Sequence, residues 1–116
     1  MTTRQLLRLE GAAVFAVATA AFFALDGAWW VFLLLALAPD IGMVGYLANP
    51  RVGALTYNAT HVYAAPLALA VLGATLDVRS AALVAAVWTA HIGADRALGY
   101  GLKESTSFQD THLGTL

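Results

Sequence analysis

Apolar residues run in four long blocks along this chain, over residues 9–25, 29–48, 53–76 and 80–100, and polar residues gather in short clusters between them. Those clusters, Asp26-Gly27, Asn49-Pro50-Arg51 and Asp77-Val78-Arg79, use residues that favour turns, so each is a tight connection. At about 1.5 Å per helical residue the last three blocks are long enough to cross about 30 Å of hydrocarbon, and the first lies at the lower limit for a span. The pattern predicts an all-α fold: a single domain over residues 1–116, an integral membrane, four-transmembrane-helix bundle of two antiparallel hairpins, with residues 101–116 as a tail.

Composition strengthens this reading. The chain is 60% hydrophobic and 11% charged, against roughly 45–50% and 25% in soluble domains. The first block follows Arg4 and Arg8 and contains Ala18-Thr19-Ala20, as a signal peptide would, but its apolar run continues through Phe22, Phe23 and Leu25, as an anchor does. No cysteine is present, which excludes disulfides, iron–sulfur clusters and thiolate zinc sites, and no basic run points to nucleic acid.

An even number of spans puts both termini on one side. Arg4, Arg8, Arg51, Arg96 and Lys103 fall there and only Arg79 falls opposite, so the positive-inside rule places both termini in the cytoplasm. Trp29 and Trp30 then mark the outer interface.

Depth can be counted from the cytoplasmic end of each block. Asp40, His61 and His91 each lie eight or nine residues in, roughly 12–14 Å deep, on three different spans. Asn58 and Asp95 form a shallower layer, with Arg96 beside it and Glu10 near the mouth of the first span. Helical spacing puts His91, Asp95 and Trp88 on one stripe and Tyr57, Asn58 and His61 in one patch, while Pro39 removes a backbone donor and is expected to kink the second span beside Asp40. Intramembrane ionisable groups face the interior and pair, so the expectation is a cytoplasm-facing pocket lined by Asp40, Asn58, His61, His91 and Asp95. The plainer alternative is interhelical hydrogen bonding, worth about 0.6–2 kcal/mol for each group.

Gly42, Gly45, Gly93 and Gly99 point to close helix packing, within the chain or in a homo-oligomer. "DIGMVGYL" from Asp40 and "HIGADRALGYGL" from His91 echo each other faintly, more in the manner of coincidence than of a duplicated hairpin. The tail "KESTSFQDTHLGTL" is either a disordered end or a lid that folds back and adds Asp110 or His112 to the pocket.

At "APDIGMVGYL", "PRVGALTYNATHVY", "AHIGADRALGYGLK" and "FQDTHLG" the chain resembles a family of small bacterial membrane proteins, domain of unknown function 4260, over nearly its whole length. The resemblance implies an integral membrane protein of about four helices in the bacterial inner membrane, and an ordered tail. It implies no reaction. The family's recurring polar positions match Asp40, Asn58, His61, His91, Asp95, Arg96, Asp110 and His112, whereas Ala59 and Ala64 stand where larger residues are expected.

Four functions compete. In the first, His61, His91, Asp40 and Asp95 hold zinc or non-haem iron, and a lipid-like substrate is anchored by Arg96 or Lys103. In the second, His91 oriented by Asp95, or His61, acts as a general acid/base on an apolar substrate such as an isoprenoid. In the third, Asp40, His61 and His91 form a titratable chain for proton relay or small-solute transport. In the fourth, the chain is a structural or partner-binding subunit without chemistry.

Overall fold

The computed structural model describes residues 1–115. Among the described residues the fold is helical: α1 (Thr3–Ala24), α2 (Trp29–Leu35), a 3₁₀ helix (Ala38–Leu47), α3 (Pro50–His61), α4 (Ala64–Thr75) and α5 (Arg79–Leu98), followed by a short hairpin of β1 (Asp110–Thr111) and β2 (Gly114–Thr115). Two stretches, Thr3–Ala24 and Trp29–Leu47, are long and apolar enough to cross a membrane.

Local signals set the ends of these helices. The Thr2 hydroxyl accepts from the Gln5 backbone while the Gln5 side chain accepts from the Thr2 N–H, a capping box that starts α1. Asn49 caps α3 through Val52 N–H, and Pro50 occupies the first helical position, where its missing donor costs nothing. Helices α1, α4 and α5 stop in left-handed residues, Asp26, Asp77 and Gly99. In each, the next N–H reaches back five residues, to Phe22, Gly73 and Asp95 respectively. Gly99 therefore terminates α5, whereas the sequence pointed to a packing role.

Two prolines break helices. The expected kink at Pro39 is a change of helix type: α2 ends at Leu35, and the backbone tightens to 3₁₀ from Ala38 to Leu47. With three residues per turn, positions three apart eclipse. Pro39, Gly42 and Gly45 form one buried row, Asp40, Met43 and Tyr46 a second, and Ile41, Val44 and Leu47 an exposed third. The third block, expected as one helix over residues 53–76, is two helices with extended Val62 between them. Pro66 explains the break, because it has no N–H to offer the Val62 carbonyl and its ring would collide there.

Packing also departs from two side-by-side hairpins. Helix α1 lies along α5 rather than against α2, the 3₁₀ helix lies along α3, and α4 also packs on α5. Small residues dictate these partners. A Cβ on Gly93 would stand 2.7 Å from the Phe15 nitrogen and 2.8 Å from the Gly11 carbonyl, so the α1 and α5 backbones touch. Side chains added at Gly42 and Gly45 would run into Thr60 and Thr56 of α3. The hydroxyls of those threonines donate to the Pro39 and Gly42 carbonyls, tying the 3₁₀ helix to α3. The small-residue faces named from the sequence thus serve contacts within the chain.

Candidate metal centre

The two breaks create the site. Ending α3 at His61 strands the carbonyls of its last turn, and α5 satisfies two of them: Trp88 Nε1 donates to Thr60 O at 2.6 Å and Arg96 Nη2 to His61 O at 3.0 Å. His61 is thereby pinned against α5 with its ring 3% exposed. Tyr57 covers it, the two rings parallel within 7° and 3.7 Å apart. In the 3₁₀ helix Asp40 N–H bonds to Leu37 O instead of reaching Ala36 O, and His91 Nδ1 donates to that Ala36 carbonyl.

These contacts fix both histidine tautomers. His61 Nδ1 lies 2.8 Å from Tyr57 O, and His91 Nδ1 pairs with Ala36 O. A carbonyl can only accept, so each Nδ1 carries the proton and each neutral ring presents a bare Nε2 lone pair. The two Nε2 atoms face each other at 3.2 Å.

Two carboxylate oxygens complete the group. Asp40 Oδ1 is 3.2 Å from each Nε2, and Asp95 Oδ2 is 3.5 Å from that of His61 and 3.3 Å from that of His91. The sequence put Asp95 in a shallower layer, but helical side chains lean toward the N-terminus, which brings its carboxylate back to His91 one turn earlier. All four donor atoms lie within 4.8 Å of one another, a group that could hold a metal ion.

Spacing and charge suit a divalent cation. Zinc binds imidazole nitrogen and carboxylate oxygen at about 2.0–2.2 Å, so ligands at the corners of a tetrahedron stand roughly 3.3–3.5 Å apart. Five of the six separations here run from 3.2 to 3.5 Å, and the whole group, including the two carboxylate oxygens, lies within 4.8 Å. Four lone-pair donors facing inward repel one another unless protons or a metal cation lie between them, and a dication matches the two carboxylates. Each histidine's second nitrogen already donates to a carbonyl, the outer support that metal-binding imidazoles use.

The tail packs against this group. Asn58 clamps it: Nδ2 donates to Lys103 O at 2.9 Å, and Lys103 N–H donates to Oδ1 at 2.6 Å. Lys103 bridges to Thr111, and Glu104 N–H donates to Asp110 O, so the two arms of the tail pair. Phe108 then lies against Tyr46 and Tyr57, and the Lys103 ammonium sits 3.8 Å from the centre of its ring. Burial pushes the Lys103 ammonium below the ordinary lysine range, partly opposed by the negative charge of Asp95. Beneath this lid a cavity of about 240 Å³ is lined by Asp40, Met43, Tyr57, Asp95, Tyr100, Lys103 and Phe108. Replacing Asn58 with Ala removes both clamp bonds, and tryptic cleavage after Lys103 is expected to accelerate about tenfold or more while helix content is unchanged. Equal cleavage rates would show that the lid is held elsewhere.

The remaining residues named from the sequence have other positions. Arg96 caps α3 and lies over the Tyr63 ring, on the far side of His61 from the cavity. The Thr106 hydroxyl donates to Asp110 Oδ2, which shapes the hairpin. His112 Nδ1 accepts from Leu102 N–H, and its ring lines a separate cleft with Glu10, Tyr63 and Arg96. Burial and the Arg96 charge hold the His112 imidazole below its ordinary range. The lid thus brings Lys103 and Phe108 to the cavity in place of Asp110 and His112. Lys103 was read only as a headgroup anchor, and the alternation of Lys103 and Phe108 around a polar turn was the available signal.

No curated protein and no solved structure matches the chain. A family profile does, over residues 4–116. That span contains all four donors and the tail, and the chain belongs to the family described as domain of unknown function 4260 (DUF4260).

Proposed function

We propose that the chain is an integral membrane protein of four spans, with both termini cytoplasmic, that carries one divalent metal ion on His61, His91, Asp40 and Asp95 and uses it on a small polar group admitted beneath the tail. The observation that carries this reading is the convergence of two histidine Nε2 atoms and two carboxylate oxygens within 4.8 Å of one another. Two imidazole nitrogens and two carboxylate oxygens are a donor set that suits zinc, and non-haem iron is the other ion the same set takes. A metal there supplies Lewis acidity toward an oxygen-bearing group.

The membrane part rests on an inverted surface. Among the described residues Phe22, Ile92, Val87 and Pro66 are the largest fully enclosed side chains, while Leu33, Leu34, Leu37, Ile41, Leu47 and Val71 are all more than half exposed. An apolar exterior of that extent suits hydrocarbon and not water. Basic residues at the end that carries the lid support a cytoplasmic mouth.

Exposure orders the roles of the donors. The His61 and His91 side chains are 3% and 10% exposed, Asp95 22% and Asp40 40%. The histidines and Asp95 therefore form the fixed part of the centre, and Asp40 is the ligand nearest the cavity. With a metal bound, Asp40 would be its most exposed ligand, and its carboxylate could accept a proton from an incoming group. Metal analysis of full-length protein purified in mild detergent without chelator tests the proposal. One zinc per chain is expected; metal at trace level in protein that remains folded would overturn it.

A further inference from the structure

The cavity beneath the tail joins groups of opposite character. At one end are Asp40 and Asp95, whose charge a dication would cancel, and at the other is the Lys103 ammonium. Among the described residues no ion pair ties that ammonium to a carboxylate. Its contacts are the faces of Phe108 and Tyr57, at 3.8 and 5.0 Å from the ring centres. Aromatic faces hold an ammonium in place without offering it a counter-charge, and its three N–H groups keep capacity for an acceptor. With the metal balanced by two carboxylates, Lys103 leaves the loaded cavity with one uncompensated positive charge. A buried cation without a partner is unfavourable, and an anion removes that penalty.

Size narrows the class of anion. At about 240 Å³ the cavity is smaller than the roughly 300–1,000 Å³ of sites for drug-sized ligands, so it takes a headgroup or a small ion and no acyl chain. A phosphoryl group fits best, because its oxygens diverge widely enough to face cations at both ends of one cavity.

We infer that the cavity binds a phosphoryl oxyanion between the metal and the Lys103 ammonium. This rests on the metal reading above. The phosphoryl group belongs either to a soluble phosphate or to a lipid headgroup entering beneath the tail, and the chemistry of recognition is shared. The backbone of Lys103 is held by Asn58 and Thr111, so the side chain can be changed without releasing the lid.

The test uses full-length, zinc-loaded wild type and Lys103→Met, with zinc content measured on each sample. Inorganic phosphate is titrated by calorimetry, and native mass spectrometry counts phosphatidic acid against phosphatidylcholine retained from mixed-lipid nanodiscs. The expected result is equal zinc in both proteins, with phosphate affinity or phosphatidic acid preference at least about tenfold weaker in Lys103→Met. Phosphate binding identifies a soluble source, and selective lipid retention identifies a headgroup. Zinc-loaded wild type that shows neither, or a variant that binds as well as wild type, overturns the inference while leaving the metal centre intact. Absence of zinc from wild type overturns the metal reading itself and is seen separately in the metal assay.

Discussion

His61→Ala and His91→Ala are each expected to lower bound zinc from the one per chain proposed for wild type to below about a tenth. Each substitution removes one of four donors and leaves two carboxylates beside a single imidazole, a set that competes poorly with water for zinc. The two variants should differ in their side effects. His61 is stacked beneath Tyr57 and buried at the end of α3, so its loss opens a void and lowers thermal stability by about 1–3 kcal/mol. His91 also satisfies the Ala36 carbonyl, so its loss loosens the α2 end of the 3₁₀ helix. Asp40→Asn, at the exposed edge, should weaken zinc binding less than either histidine change. Zinc retained at full stoichiometry in both histidine variants would mean that it binds elsewhere.

Gly93→Ala is expected to destabilise the fold by about 2–4 kcal/mol, although an alanine in place of glycine ordinarily stabilises a helix interior by roughly 0.5–1 kcal/mol. The sign reverses because the methyl group would stand 2.7–2.8 Å from backbone atoms of Phe15 and Gly11, which have no freedom to rotate away. Helix α1 would have to lift off α5, and with it Arg8, whose Nε donates to the Ala97 carbonyl. Thermal unfolding in detergent followed by circular dichroism checks this. A variant as stable as wild type would show that α1 and α5 are not in backbone contact there.

Much of the candidate site was legible because chemistry left few choices. In a chain this apolar, two histidines and an aspartate at matched depths on different blocks stand out, and they do converge. Asp95 joins them because a four-residue spacing on one helix puts it beside His91. The break after His61 was harder to see. Pro66 lies five residues beyond the histidine inside an unbroken apolar run, and its effect falls on Val62, so hydropathy alone reads straight through it. That break makes His61 a helix terminus that Trp88 and Arg96 can cap.

The 3₁₀ helix was written in the sequence in a period other than the one sought. "PDIGMVGYL" is three triplets, each with a small or cyclic residue that is buried, then Asp40, Met43 or Tyr46, then an exposed aliphatic one. A search at the α-helical period blurs that repeat. The same segment explains why its echo of "HIGADRALGYGL" is no structural repeat: Asp40 and His91 both reach the centre, but from a 3₁₀ helix and an α-helix. Pairing of α1 with α5 was hidden for a different reason, since short turns promise adjacency in sequence and say nothing of which small-residue faces match. Gly11 was the missing half of that match.

Zinc K-edge X-ray absorption on the full-length, zinc-loaded protein tests the central claim most directly. The account predicts four light scatterers at about 2.0–2.1 Å, nitrogen and oxygen, with the outer-shell signature of two imidazoles. A six-oxygen shell, or four-coordinate zinc without imidazole scattering, would contradict it.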